Sequence, residues 1–365
     1  MGSDISTPDL IVHDGYQVET HTVLTPDGYI LSIHRILSTS TNTTSGKYKI
    51  AILSHGLLGS SIDWILLGPR KALPYLLSDA GYDVWLPNFR GNKYSRSHMT
   101  KVADSAEFWN FSWHEIGLFD IPAVIDYVRE TTGESPQIHF FAYCMSGSAL
   151  LALLSSSQRY NAILKSATLL APLVYMDHIK GPLQNLAELY AQYKNNINTF
   201  MTIESEFKIE ELFNSLEIVC KDNEPWCRNP LLLLGDNGKK NISLRTNNNN
   251  IQIGVSTKTI IHYLQIIKSG QFQMFDLGES KNYEKYGTAS PPLYHLFNVK
   301  VPSILFNSIN DPISTVSDIS KLAFHIPGII NHLIKVDNFS HLDFLWAENA
   351  TQLVYFPLIK ELQQI

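Results

Sequence analysis

The strongest constraint on this chain is an alternation of two periodicities. Between Val18 and Ala171, short β-rich apolar runs alternate with segments of helical spacing. Val18 to Leu24 and Ile30 to Ile36 flank the turn signal Pro26-Asp27-Gly28, which predicts a hairpin. Tyr48 to Ser54 reads as a strand ending at His55-Gly56, and Tyr82 to Leu86 as a second short strand. The helical stretch Ala72 to Leu77 lies between them and stops at Gly81. Glu115 to Glu130 reads as a helix with an irregularity near Asp120 and Pro122. Ile138 to Tyr143 is a buried strand, Gly147 to Ser156 a small-residue apolar helix, and Ser166 to Ala171 a further strand. Strands separated by helices are joined by crossovers. The expected class is therefore α/β, with a mostly parallel sheet covered by helices on both faces.

The rhythm changes between Val174 and Lys300. Leu183 to Phe200, Ile209 to Val219 and Thr257 to Ser269 read as helices, and Asn247 to Asn250 as a polar loop. The sheet pattern then returns, with strands at Val301 to Phe306 and His332 to Val336 and helices at Val316 to Phe324 and Thr351 to Gln363. The expected organisation is a core made of residues 1–173 and 301–365, split by a helical cap at 174–300.

Composition excludes several functions. Of 365 residues, 44% are hydrophobic and 17% charged, which describes a globular chain rather than a disordered one. The net charge of −6 and the lack of a basic stripe argue against a nucleic-acid partner. No apolar run reaches the ~18 residues of a membrane span. The opening MGSDISTPDL lacks the layout of a signal peptide, so the chain either is not exported by that route or is already processed. Cys220 and Cys227 sit close enough in sequence to close a small disulfide loop, or they are two free thiols. Glycosylation triplets occur at Asn42, Asn110, Asn241, Asn338 and Asn349. Together these features lean toward a secreted or lysosomal setting.

In open α/β sheets, reactive groups collect at the carboxyl ends of strands. Three such loops stand out. Ala142-Tyr143-Cys144-Met145-Ser146 joins a strand to a small-residue helix, the setting of a nucleophile elbow, with Cys144 in the nucleophile slot. Asp311 follows the strand Val301 to Phe306, and His341 follows the strand His332 to Val336. Nucleophile, acid, histidine is the chain order of α/β-hydrolase triads, in which the acid fixes the imidazole tautomer and the imidazole handles the proton. A fourth element, His55-Gly56-Leu57-Leu58-Gly59, offers the N–H of Leu57 as one oxyanion donor, with the N–H of Met145 as the other. No phosphate loop, dinucleotide fingerprint, HExxH or metal-spaced Cys/His set occurs, so no cofactor and no metal are expected.

Further stretches carry a family likeness. These include Gly15-Tyr16, Thr25 through Leu31 (TPDGYIL), Arg35-Ile36, HGLLGSS with Asp63-Trp64, Gly81 through Trp85, and Asn88 through His98 (NFRGNKYSRSH). Phe108 through Glu115, Pro291 through Tyr294, Val301-Pro302 and His341 through Phe344 extend it. Over nearly its whole length the chain resembles the acid lipase family, which includes gastric and lysosomal acid lipases and their insect relatives. The resemblance implies an α/β-hydrolase core, a helical cap over the site and acyl-ester chemistry on lipids. It also implies a Cys220–Cys227 disulfide in the cap and an oxyanion hole from Leu57 and Met145. The family pattern Gly-His-Ser-Gln-Gly falls on Ala142, Tyr143, Cys144, Met145 and Ser146, and all five differ.

Three functions remain open from the sequence. The first is a Cys-His-Asp hydrolase or acyltransferase acting on a lipid-like or apolar ester, through a thioester on Cys144. The second is an inactive lipase-like scaffold that binds or carries an apolar ligand, in contact at times with a lipid surface. Aromatic residues of the cap, including Tyr190, Tyr193, Phe200, Phe207, Phe213, Phe272 and Phe275, suit such a ligand. The third is a structural protein without a ligand. Arg90 and Asn92 are expected to hold the shape of their own loop.

Overall fold

The computed structural model describes residues 5–38, 49–133, 137–193, 203–207, 234 and 254–365. Nine strands among the described residues form one sheet. They are β1 (Val18–Leu24), β2 (Tyr29–Ile36), β3 (Lys49–Ser54), β4 (Asp83–Pro87), β5 (Ser97–His98), β6 (Gln137–Tyr143), β7 (Leu164–Leu170), β8 (Ser303–Ser308) and β9 (Ile330–Ile334). Their order is β1-β2-β4-β3-β6-β7-β8-β9, with β5 paired to β2. Pairings among β4, β3, β6, β7, β8 and β9 are all parallel; those of β2 with β1, β4 and β5 are antiparallel.

β6 lies at the centre of the parallel part, between β3 and β7. Its residues from Ile138 to Tyr143 are all buried, as a strand covered on both faces must be. Helices Leu73–Asp79, Ile121–Thr132, Met145–Ser156 and Val316–His325 supply the crossovers between parallel strands. The irregularity expected near Asp120 and Pro122 is a π-helical turn at Ile116–Asp120, closed by Ile121 N–H on Ile116 O. Pro122 has no N–H to continue an ordinary ladder, and the chain widens just before it. The same device recurs at Thr351–Tyr355, before Pro357.

The chain leaves the sheet after β7 and returns at β8. Among the described residues of this excursion, the helices Pro182–Tyr193 and Thr257–Ser269 pack on each other, and Glu279–Tyr286 follows. The segment Ile209 to Val219, Cys220, Cys227, Asn241, the Asn247 to Asn250 tract and Asn42 lie outside the described residues. No helix among the described residues is long and apolar enough to cross a membrane.

Two differences from the sequence reading have physical causes. A helix at Thr7–His13, capped by the Ser6 hydroxyl accepting from Asp9 N–H, escapes pattern reading because it is only two turns long. β9 starts two residues earlier than the apolar pattern suggests. It is an edge strand with Ile330 exposed, so solvent blurs the alternation.

Burial also sets acid sensitivity. His139 is buried on β6 with Nδ1 2.8 Å from Ser166 Oγ, and burial pushes its pKa down to about 4. The unfolded chain takes a proton there near pH 6.5. The stability His139 contributes is therefore present above pH 6.5 and lost as pH falls toward 4. His139→Gln is expected to cut the wild-type loss of stability between pH 7 and pH 5 by about 1–2 kcal/mol. Urea unfolding at the two pH values measures this, and equal losses in both chains would contradict it.

Candidate active site

The elbow grows directly from the central strand. Ala142 pairs with Ser54 and Leu169 on the neighbouring strands, and the chain then reverses at Cys144 with φ 57° and ψ −118°. Such a backbone is strained for a residue with a Cβ and survives only where its surroundings fix it. Here Cys144 N–H bonds Leu170 O at 3.0 Å. Cys144 O accepts from Gly147 N–H at 3.0 Å and from Leu173 N–H at 3.3 Å.

Small residues replace both flanking glycines of the elbow pattern, and the structure shows how each is accommodated. Ala142 is fully buried in the sheet. The Ser146 hydroxyl lies 2.9 Å from Tyr143 O and 3.0 Å from Ser54 O, donating between them. The closest approach has moved one residue on: a Cβ on Gly147 would stand 2.6 Å from Pro172 Cβ.

The His55–Gly59 loop lies against this turn. A Cβ on Gly56 would come within 2.9 Å of the Tyr143 ring and 3.0 Å of Cys144 Cβ, so only glycine fits. That contact puts the Leu57 peptide beside the elbow. Met145 opens the helix Met145–Ser156, and a first-turn N–H has no acceptor within its own helix. His55 braces the loop from behind. Its Nε2 accepts from Phe89 N–H at 3.1 Å, so the proton sits on Nδ1, which donates to Gly56 O at 2.9 Å. Burial lowers the pKa of His55 to about 4, which keeps this arrangement neutral. Asn92 joins the same network directly, its Nδ2 lying 3.3 Å from His55 Nε2 and donating to Asn88 Oδ1 at 3.0 Å, with its own Oδ1 accepting from Tyr94 N–H. It holds its loop and, through His55, supports the next.

Asp311 and His341 arrive on the loops after β8 and β9. Asp311 Oδ2 lies 2.7 Å from His341 Nδ1, and both side chains are fully buried. Asp311 Oδ1 accepts from Ile313 N–H at 3.0 Å and Ser314 N–H at 2.8 Å, which fixes the carboxylate plane. Burial alone would lower the imidazole pKa. The Asp311 carboxylate overrides it, with a further contribution from Cys144, and raises the pKa to about 10. His341 Nε2 has no hydrogen-bond partner among the described residues. Cys144 is nonetheless near enough to favour the imidazolium, by its charge and as a hydrogen-bond acceptor at the margin of ordinary geometry. Cys144 itself is a fully buried free thiol.

Two phenols that the sequence reading did not assign to the site lie beside the sulfur. Tyr143 and Tyr263 both have their ionisation pushed well above the ordinary range, first by burial and next by Cys144. Tyr263 comes from the helix Thr257–Ser269, and its hydroxyl is 2.9 Å from Ser148 Oγ. It lies 115 positions from Ser148, and no local pattern signals that contact.

Other expected residues lie away from this cluster. Asn338 and Asn349 are exposed. Asn110 is exposed as well, but its Oδ1 accepts from Lys258 Nζ at 2.7 Å. One group among the described residues brings metal-ligand atoms together: Asp177, His178 and Asp318, within 4.8 Å of one another. Its members already pair with each other and with Lys321: His178 Nδ1 is 2.8 Å from Asp318 Oδ1, and Lys321 Nζ is 3.5 Å from Asp177 Oδ2.

The chain matches two family descriptions, a partial alpha/beta-hydrolase lipase region over residues 7–68 and the alpha/beta hydrolase fold over residues 52–348. It is 36% identical to Lipase 3 of Drosophila melanogaster, over 97% of this chain and 91% of that protein. It is 32% identical to gastric triacylglycerol lipase of Bos taurus, over 98% of this chain and 91% of that protein. Among solved structures, an esterase of Exiguobacterium antarcticum superposes with a TM-score of 0.54 at 12% identity. The match covers 94% of this chain and all of the other, a likeness of fold. Sheet order and these matches agree: the chain belongs to the gastric and acid-type lipase family of α/β-hydrolases.

Proposed function

We propose that this protein is an acyl-transfer enzyme acting on lipid-like or apolar esters, with Cys144 as nucleophile. Lipase-like hydrolase chemistry is the coarse function that family membership gives it. One observation carries the finer reading: a buried, carboxylate-paired His341 presents an unpartnered Nε2 toward the side of Cys144. A scaffold that merely bound a ligand would have no use for that buried, protonated pair, which is costly to maintain.

In this mechanism the proton rests on His341 and the sulfur attacks the ester carbonyl. The S–C bond forms, and the N–H groups of Leu57 and Met145 receive the developing oxyanion. The C–O bond then breaks, and the leaving alcohol takes the proton from His341 Nε2. A thioester remains on Cys144. Water, or another alcohol or amine, then attacks the thioester carbonyl and gives its proton back to His341 as the sulfur leaves. Asp311 keeps the imidazole in the required orientation throughout.

A second reading is favoured by one specific observation. Cys144 and His341 are both 0% exposed, as in a closed site that holds a ligand. Intact mass after incubation with activated acyl esters separates the two, with wild type compared to Cys144→Ala. The expected result is a gain of one acyl group that the variant lacks. No gain on any ester, with the thiol still open to small alkylating reagents, would favour the apolar-ligand scaffold. Likeness to a gastric lipase supports a secreted or lysosomal setting, in which exposed Asn338 and Asn349 are glycosylation candidates and Cys220 and Cys227 a disulfide candidate.

A further inference from the structure

Tyr143 occupies the elbow position just before the proposed nucleophile, and its side chain reaches two neighbouring loops, the one at Gly56 and the one that carries His341. Its ring is the surface that forces residue 56 to be glycine, so it abuts the oxyanion loop. Its hydroxyl donates to the backbone carbonyl of His341 at 3.1 Å. Its ring centroid lies 5.3 Å from the imidazole, and its other contact is an edge-on approach to Trp64 at 6.3 Å. The side chain is buried.

His341 needs such a tie. Its loop leaves the edge strand β9, most of which is exposed or half-buried. Within the loop, Phe339 O accepts from the Ser308 hydroxyl at 2.5 Å and Val336 O from Asn310 Nδ2 at 3.0 Å. Those bonds fix the loop to the end of β8, near Asp311. Among the described residues, only the Tyr143 hydroxyl bonds the backbone of His341 to the elbow strand itself. We propose that Tyr143 is a positioning residue: its bond to the His341 carbonyl sets the imidazole against Cys144. In place of the histidine of the family pattern, it carries the register between nucleophile and base. This rests on the acyl-transfer reading, but it can be tested independently of it.

Tyr143→Phe removes the hydroxyl and keeps the ring. Three readouts are compared with wild type: the rate of acyl-adduct formation, its dependence on ester concentration, and the titration of His341 followed by NMR. The expected result is a tenfold to hundredfold lower maximal rate, on the order of what misplacing a catalytic group costs, at unchanged half-saturation. The His341 midpoint is expected to drop by the part that Cys144 contributes, with Asp311 still holding it above the ordinary histidine value, while the thermal midpoint stays within a few degrees. An unchanged rate and an unchanged His341 titration would overturn the proposal. If the phenylalanine chain does not fold, Tyr143→Leu, which is likewise apolar and lacks the hydroxyl, is read in the same way. If wild type forms no adduct, the acyl-transfer reading fails, yet the His341 titration still decides the role of Tyr143. Tyr263→Phe removes the other phenol beside the sulfur and is expected to leave that titration in place.

Discussion

Asp311→Asn is expected to slow acylation of Cys144 by about 10²–10⁴-fold with the fold intact. The native carboxylate gives one oxygen to His341 Nδ1 at 2.7 Å and the other to two backbone N–H groups. An asparagine can satisfy those two N–H groups only with its carbonyl oxygen. Its amide then points at the imidazole as a donor. The ring must accept at Nδ1 and can no longer hold two protons, so the reserve of positive charge beside Cys144 disappears. Adduct kinetics with an activated ester across pH 5–10 measure the effect. The same variant should change stability at alkaline pH. His341 is raised from 6.5 to about 10. Its contribution is thus fully present below pH 6.5 and lost as pH rises through about 10, and the variant should lack that dependence. A variant within threefold of the wild-type rate would remove the His341–Asp311 pair from the mechanism.

Arg90→Met is expected to cost about 3–5 kcal/mol of stability, the largest single-site loss outside the site itself. The Arg90 side chain is 1% exposed. It donates to Asp27 at 2.6 and 2.9 Å and to Asp120 at 2.7 Å, and lies 4.0 Å over the Tyr29 ring. Removing it strands the Asp120 carboxylate, which is fully buried, without its counter-charge. The urea midpoint reads the loss. Arg90→Met with Asp120→Leu should recover part of it, because the stranded charge is then gone as well. The activity of the single variant should fall too. Arg90 anchors the loop whose Phe89 N–H holds His55, and His55 holds the Gly56–Gly59 loop beside Cys144.

Local pattern was enough to read the sheet. The hairpin over Val18 to Ile36, the central strand ending at Tyr143 and the helix at Thr257–Ser269 were legible because apolar spacing and turn residues act within a few positions. The order Cys144, Asp311, His341 was legible because parallel strands all deliver their carboxyl ends to one edge. The tie from Tyr143 to His341 was not. It spans 198 positions, and a buried tyrosine at the end of a strand looks like ordinary core. Arg90 read as a loop-shaping residue. Its two carboxylate partners, Asp27 and Asp120, lie 63 and 30 positions away and become evident only when the chain is folded.

The sequence by itself determined which atoms are available to react. It places a thiol, an imidazole and a carboxylate at three strand ends, and it writes the glycines and small residues that let those loops approach. Only the tertiary structure decided the charge of the imidazole. A proton's position depends on burial and on the nearest opposite charge, and both are set by residues far apart in the chain. His55 and His341 are the same side chain in two loops. One is held neutral by burial among backbone partners, and the other is held charged by Asp311 at 2.7 Å.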